Sequence, residues 1–290
     1  MNSTNSLIMN FAQSFASELN AKAILISSDV IHEAFNFEDE DMRSRVILVW
    51  KKERDDERPE GSFGGVITIP NVNVTPVSQM KIAIIKGMAA GMFGPGDKMV
   101  CLTGAPKLDY IENIFVVDVD NEFEILTSEN ISNIFEGVQP EVFEAALNVA
   151  LELAAQGREG RSVGTIFVIG DHEKVMGLSR QMIINPFMVY SEAERNIMDR
   201  DLKETIKEFS ALDGAFVIKE NGVLITAGRH LNVALESGKE FPKGLGSRHI
   251  VAAGITNVTN AIAIVVSEST GTVRIFRKGK IFVDIEKALG

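Results

Sequence analysis

Apolar residues fall at every fourth position through Ser6–Leu19, with Leu7, Phe11, Phe15 and Leu19 on one side, and predict an amphipathic helix. Short apolar runs follow at Ala23–Ser27, Arg45–Trp50, Val66–Pro70, Lys98–Gly104 and Ile111–Val119, each the length of a buried strand. Helical spacing returns in Ser78–Met92 and, more briefly, in Val30–Phe37. Charge-rich Asp55–Gly61 and Gly94–Asp97 interrupt the pattern and read as exposed turns. Strands alternating with helices imply βαβ units. The first half is therefore expected to be an α/β domain with a mostly parallel sheet covered by helices.

The pattern changes after Ser128–Gln139, which holds small polar residues and ends at Pro140, so the domain boundary is placed to give 1–137 and 138–290. Glu141–Gln156 reads as a second amphipathic helix through Val142, Leu147, Ala150, Leu151 and Leu153, stopped by Gly157. The basic Gly157–Arg161 run is read as that helix stop rather than as a nucleotide loop. Ser162–Gly170 predicts a buried strand, and Glu192–Phe209 a charged helix bearing Ile197, Met198, Leu202, Ile206 and Phe209. Asn221-Gly222 predicts a tight hairpin turn within Asp213–Ile225, and Lys278-Gly279 another within Thr272–Asp284. Hairpins mixed with helices point to a mixed sheet flanked by helices, again α/β but unlike the first half.

Length agrees with this division, since 290 residues suit two domains, each with its own core. A net charge of −11 argues against general nucleic-acid binding, which depends on Lys and Arg neutralising phosphates. An anionic nucleotide would instead be drawn in locally, by Arg248, Lys243, Arg229 or a divalent ion. The single cysteine, Cys101, lies in an apolar run and is expected to be buried in a reducing, cytoplasmic protein. Met1–Phe15 lacks the basic and apolar regions of a signal peptide, and no segment approaches the length of a membrane span.

The candidate chemistry centres on Gly244-Leu-Gly-Ser-Arg-His249. Its glycines let the backbone turn tightly, Ser247 is a good helix N-cap, and Arg248 and His249 then sit in the first turn of a helix over Arg248–Thr256. A helix start offers free N–H groups and a positive dipole end, which suits a phosphate. Arg248 adds a planar fork that binds phosphate oxygens in pairs. Upstream, Asp213-Gly214-Ala215 opens a strand; downstream, Ser267-Glu268 closes the strand Ala261–Val266. Taken singly, each has a plainer reading, as a turn acid, a surface arginine, a structural histidine and a polar strand end. Together they read as a phosphate-binding turn flanked by acids suited to a metal.

The order of these motifs, with Val266-Ser267-Glu268-Ser269-Thr270-Gly271 last, resembles the diadenylate cyclase (DAC, or DisA N-terminal) domain family. Gly160–Asp171 is similar to that family's opening strand, and Ile206–Ala215 to the lead into its first motif. Two positions depart from it: Ile250 where the family often has the second arginine of Arg-His-Arg, and Ser269 where it often has a second glutamate. The resemblance implies a metal-dependent enzyme, using Mn²⁺ or Mg²⁺, that condenses two ATP into cyclic di-AMP and two pyrophosphates. It further implies a homo-oligomer with DAC domains face to face, working without nucleic acid or membrane. Asp213, Arg248 and His249 are the implied catalytic residues. Contacts to ATP would come from Gly214, Ala215, Leu231, Gly246, Ser247, Arg248, His249, Ser267 and Glu268, and the metal would be held by Asp213, His249 and Glu268.

The first half weakly resembles the C-terminal α/β domain of pyruvate kinase, which implies an assembly or regulatory module. Ser27-Ser28-Asp29 places an acid where an effector phosphate would meet a base. Two rival functions remain open, a non-catalytic sensor of ATP or cyclic di-AMP and a metal-dependent nucleotide hydrolase.

Overall fold

A computed structural model of the chain describes residues 3–31, 40–52, 63–104, 110–122, 135–233 and 245–288. It divides into two compact units, Met1–Ile131 and Ser132–Gly290. Asp55–Gly61, Lys243, Gly244 and most of the helical expectation over Val30–Phe37 lie outside the described residues. Of the last, Val30 closes a single 3-10 turn, Ser28–Val30.

The first unit runs α1 (Ser3–Glu18), β1 (Ala23–Ser27), α2 (Glu40–Arg45), β2 (Val46–Lys52), β3 (Gly65–Pro70), α3 (Pro76–Ala89), β4 (Lys98–Thr103), β5 (Asn113–Asp118) and α4 (Val119–Glu122). Its sheet has the order β3-β2-β1-β4-β5, parallel throughout except for β5, which returns antiparallel along β4. All five positions of β1 are buried, as expected of a central parallel strand covered on both faces. Thr75 caps α3 by accepting the Ser78 N–H, and Pro76 opens the helix where no backbone donor is needed. The helical expectation for α1 holds, and Phe15 and Leu19 pack partly against the core, but the first half of the expected face turns outward. Leu7 and Phe11 are 72% and 60% exposed, while Met9, Ala12 and Ala16 meet Ile24, Ile26, Leu48 and Leu102. Small alanines let the helix lie close on the sheet, and that close fit decides the face. In the Ser27–Asp29 turn, Asp29 is ion-paired with Lys51, and the Ser27 hydroxyl accepts from Gln79 at 2.7 Å.

The second unit runs α5 (Pro140–Gln156), β6 (Thr165–Ile169), α6 (His172–Gly177), β7 (Ser179–Gln181), α7 (Leu202–Phe209), β8 (Ala215–Ile218), β9 (Leu224–Leu231), α8 (Ser247–Val258), β10 (Ile262–Val266), β11 (Val273–Arg277) and β12 (Lys280–Ile285). Seven strands form one sheet in the order β12-β11-β10-β6-β8-β9-β7. Only β6 and β8 pair in parallel; the other neighbours are antiparallel, so the sheet is mixed. Both anticipated hairpins are present, with Gly222 at φ 91° and Lys278-Gly279 at φ 50° and 78°. The side of the sheet facing α8 buries Val168, Val217, Ala263, Val265 and Phe276 against Ala252, Ala253 and Ile255. The α5 helix buries Val142, Leu147, Ala150, Leu151 and Leu153. At about 1.5–3 kcal/mol for each large apolar side chain, this burial outweighs any exposed ion pair on the helix, worth about 1 kcal/mol at most.

One predicted helix is shorter than its apolar spacing suggests. Only Leu202–Phe209 of Glu192–Phe209 is helical. The backbone ahead of it is claimed by the β8–β9 turn: Ile197 donates to Gly222 O at 2.9 Å, and Leu224 donates to Arg195 O at 2.8 Å. Those groups are then unavailable to a helical ladder.

Candidate active site

Sheet topology gathers the chemistry. Because β6 and β8 run parallel in the register Ile166↔Ala215, the residues just before each strand, Gly164 and Asp213, emerge at one edge of the sheet. β10 runs the other way beside β6, with Val266 opposite Thr165, so Ser267 and Glu268 leave the sheet at that same edge. The start of α8 arrives there too. Its N-cap is Gly246 rather than Ser247, which occupies the first helical position, and Gly246 O accepts the His249 N–H at 3.0 Å.

Arg248 is the centre of the cluster. Its Nη1 donates to Glu268 Oε2 at 3.0 Å, and its Nη2 lies 3.7 Å from Asp213 Oδ1. Side-chain exposure is 32% for the arginine, 92% for Asp213 and 57% for Glu268, so both acids stand at the solvent side of the guanidinium. Gly164 makes the arrangement possible. A Cβ at that position would sit 2.5 Å from Arg248 Nη1 and 2.9 Å from the Cβ of Glu268. Arg248 and Glu268, though not Asp213, border a cavity of about 820 Å³, lined also by Arg161, Gly246, His249 and Arg274 among others. Ligand pockets commonly run from about 300 to 1,000 Å³, a range that takes in a nucleotide triphosphate.

His249 is buried, at 5% exposure, beneath that cavity. Its Nε2 lies 3.1 Å from Arg274 Nη1, and its ring centroid is 6.1 Å from that of Phe276. An arginine can only donate, so Nε2 carries the lone pair and the proton belongs on Nδ1. Burial first, and the Arg274 charge second, hold the imidazole below its ordinary pKa and therefore neutral. Among the described residues no three His, Cys, Asp or Glu side chains gather as a metal-holding group, so Asp213, His249 and Glu268 do not form a trio.

Of the other anticipated contacts, Gly246, Ser247 and Ser267 line the cavity. Gly214, at φ 112°, lies where a Cβ would be 2.6 Å from the Arg229 backbone nitrogen. Ala215 and Leu231 belong to the apolar core packed on α8, and neither lines the cavity. Arg229 is not a free cation for a phosphate. Its guanidinium donates to Ser179 Oγ, Gln181 Oε1, Met176 O and Ser179 O at 2.8–3.3 Å, clamping β7 to β9.

The sequence reading passed over Arg161, Ser162, Gly164, Thr270 and Arg274 as site residues. Arg274 left one signal. It and Asp284 are opposite charges set among the apolar neighbours of residues 273–276 and 281–285, in the two arms of a predicted hairpin.

An anion-gripping helix start with carboxylates on its arginine suits a protein that handles nucleotide phosphates. Comparison with known proteins sharpens that class. Residues 152–281 match the family described as DisA bacterial checkpoint controller nucleotide-binding, and residues 4–127 match one described as a probable sensor domain, DacZ_P. A diadenylate cyclase of Methanocaldococcus jannaschii is 34% identical over 93% of this chain and 80% of its own length. One of Haloferax volcanii is 36% identical over 72% of this chain and 75% of its own. The cyclic di-AMP synthase CdaA of Bacillus subtilis is 36% identical over 27% of this chain and 28% of its own. The chain belongs to the diadenylate cyclase family, and it is a nucleotidyltransferase enzyme. No helix among the described residues is long and apolar enough to cross a membrane.

Proposed function

We propose that the chain condenses two ATP into cyclic di-AMP at the cavity beside Arg248, releasing two pyrophosphates. The observation that carries this reading is the meeting of Asp213 and Glu268 on Arg248 at the start of α8. The triphosphate lies over Gly246–His249, where the first-turn N–H groups and the Arg248 fork neutralise its oxygens. Asp213, the most exposed of the three, takes the proton of the ribose 3′-hydroxyl. The 3′-oxygen then bonds to the α-phosphorus of the second ATP, the bond from that phosphorus to its bridging oxygen breaks, and pyrophosphate leaves with the electron pair. Both nucleotides undergo this step once, which closes the ring. Such chemistry depends chiefly on positioning and charge neutralisation.

Asp213 and Glu268 also fit a divalent cation, Mn²⁺ or Mg²⁺. Both are hard oxygen donors exposed at one place, and such ions are commonly held by one or two carboxylates plus substrate phosphates. When bound, the ion would lower the charge on the phosphates and acidify the hydroxyl. His249 contributes on the phosphate side instead, since its Nε2 already accepts from Arg274.

Among the described residues one chain supplies one such cavity, whereas the product joins two nucleotides. Two subunits therefore face each other, each presenting its ATP to the other. The first unit acts as a regulatory module of this cytoplasmic enzyme, a role that the sensor description of its matched family favours over assembly alone.

Incubating the protein with ATP and either metal should yield cyclic di-AMP and pyrophosphate by mass spectrometry. Specific activity should fall on dilution as the subunit pairs separate. AMP or ADP in place of the cyclic product would identify a hydrolase, and tight nucleotide binding without pyrophosphate release would identify a sensor.

A further inference from the structure

Arg274 stands in an apolar strand, Val273-Arg274-Ile275-Phe276, on the side of the sheet that packs against α8. A guanidinium in such surroundings needs compensation for lost hydration. Asp284, opposite it on β12, supplies part, accepting from Nε at 2.9 Å. The pairing is not the two-pronged fork that a purely structural arginine–carboxylate pair favours. Asp284 Oδ1 is buried without a partner, and Arg274 spends Nη1 on His249 Nε2 at 3.1 Å. Nη2 makes no hydrogen bond among the described residues, and Arg274 lines the cavity of about 820 Å³ together with Arg161, Arg248, Ser267 and Ser269. Ile250, two residues beyond Arg248, is exposed and does not line it, so α8 itself delivers one guanidinium to the cavity.

The geometry points to Arg274 as a second substrate-binding arginine, with its Nη2 edge taking an oxygen of the bound triphosphate while Nη1 holds His249 in place. Asp284 anchors the guanidinium through Nε alone, which leaves Nη2 for the ligand. The Arg248 charge is already shared between two carboxylates, and a triphosphate carries several negative charges. A second guanidinium reaching the same cavity from β11 would supply the balance. This assignment rests on the ATP reading given above.

The test uses the full chain with Mg²⁺ and 3′-deoxy-ATP, which has the triphosphate but no attacking hydroxyl and therefore binds without turnover. Relative to the parent protein, R274M should bind it about 10- to 100-fold more weakly, the span of one charge-assisted hydrogen bond, and KM for ATP should rise by a similar factor. R274K keeps the charge and loses the fork, and should fall between the two. In ¹⁵N spectra of the imidazoles, R274M should disturb the His249 tautomer. A merely structural arginine would lower the melting temperature and leave affinity unchanged. Binding by R274K and R274M within about twofold of the parent overturns the proposal; if R274M does not fold, R274K decides alone. A parent protein that binds no 3′-deoxy-ATP defeats the ATP reading itself, whereas a parent that binds it beside unaffected variants defeats only the role of Arg274.

Discussion

Two arginines of the second unit show how surroundings divide structural from chemical work. Arg229 lies between β7 and β9 with four hydrogen bonds, two of them to backbone carbonyls. Burial alone pushes its pKa down, and no carboxylate touches it among the described residues. Arg248 stands at the sheet edge with two exposed acids on it and a cavity before it. The first is fixed by neutral oxygens that a ligand cannot displace without opening the sheet. The second holds partners that water or a ligand can replace at little cost, and an enzyme needs that kind of exchange at its substrate.

The most severe break of this contrast is Asp213→Asn. Product formation should fall by about 100-fold or more, the usual contribution of a positioned base. The melting temperature should barely move, because the Asp213 side chain is 92% exposed. Equal losses of stability and activity would place Asp213 with Arg229 instead. Arg229→Met should do the reverse, costing about 2–3 kcal/mol of unfolding free energy in denaturant titrations while KM for ATP stays within about twofold in the folded fraction.

Gly164→Ala sharpens the contrast further. The added methyl meets the far end of a flexible arginine and the Cβ of Glu268, so Arg248 and Glu268 should both be displaced, with activity down about tenfold or more, at least about 1.4 kcal/mol of transition-state stabilisation. A smaller effect concerns acid. Because the folded pKa of His249 is depressed, the unfolded chain takes up a proton first as pH falls through the ordinary histidine value near 6.5. The native state loses stability from there down to the folded pKa, and the difference then levels off. Melting curves between about pH 7.5 and 5.5 should show this loss in the parent protein and not in His249→Gln. The least effect is expected at Cys101, whose thiol burial drives upward in pKa, so a thiol reagent should label only unfolded protein.

Much of this was legible in the chain. Continuous apolar runs marked β1, β4, β6 and β10, because strands covered on both faces need no polar alternation. Glycine turns marked both hairpins. The order of Asp213, Arg248 and Glu268 marked three residues that the sheet edge brings together. What escaped depended on register and on competition. Counting back from the Lys278-Gly279 turn sets Arg274 opposite Val283, and the irregularity at Ile275/Phe276 moves it to Asp284. In α1 the alanines, not the larger Leu7 and Phe11, settled the inward face. Ahead of α7, hydrogen bonds to a distant hairpin overrode local helical spacing.

The pairing of β6 with β10 also governs when this enzyme becomes competent during synthesis. Gly164 and Asp213 leave the ribosome well before Glu268, and their edge of the sheet stays half built until the last strands emerge. Nucleotide binding to a nascent chain should therefore begin only once β10 has paired with β6.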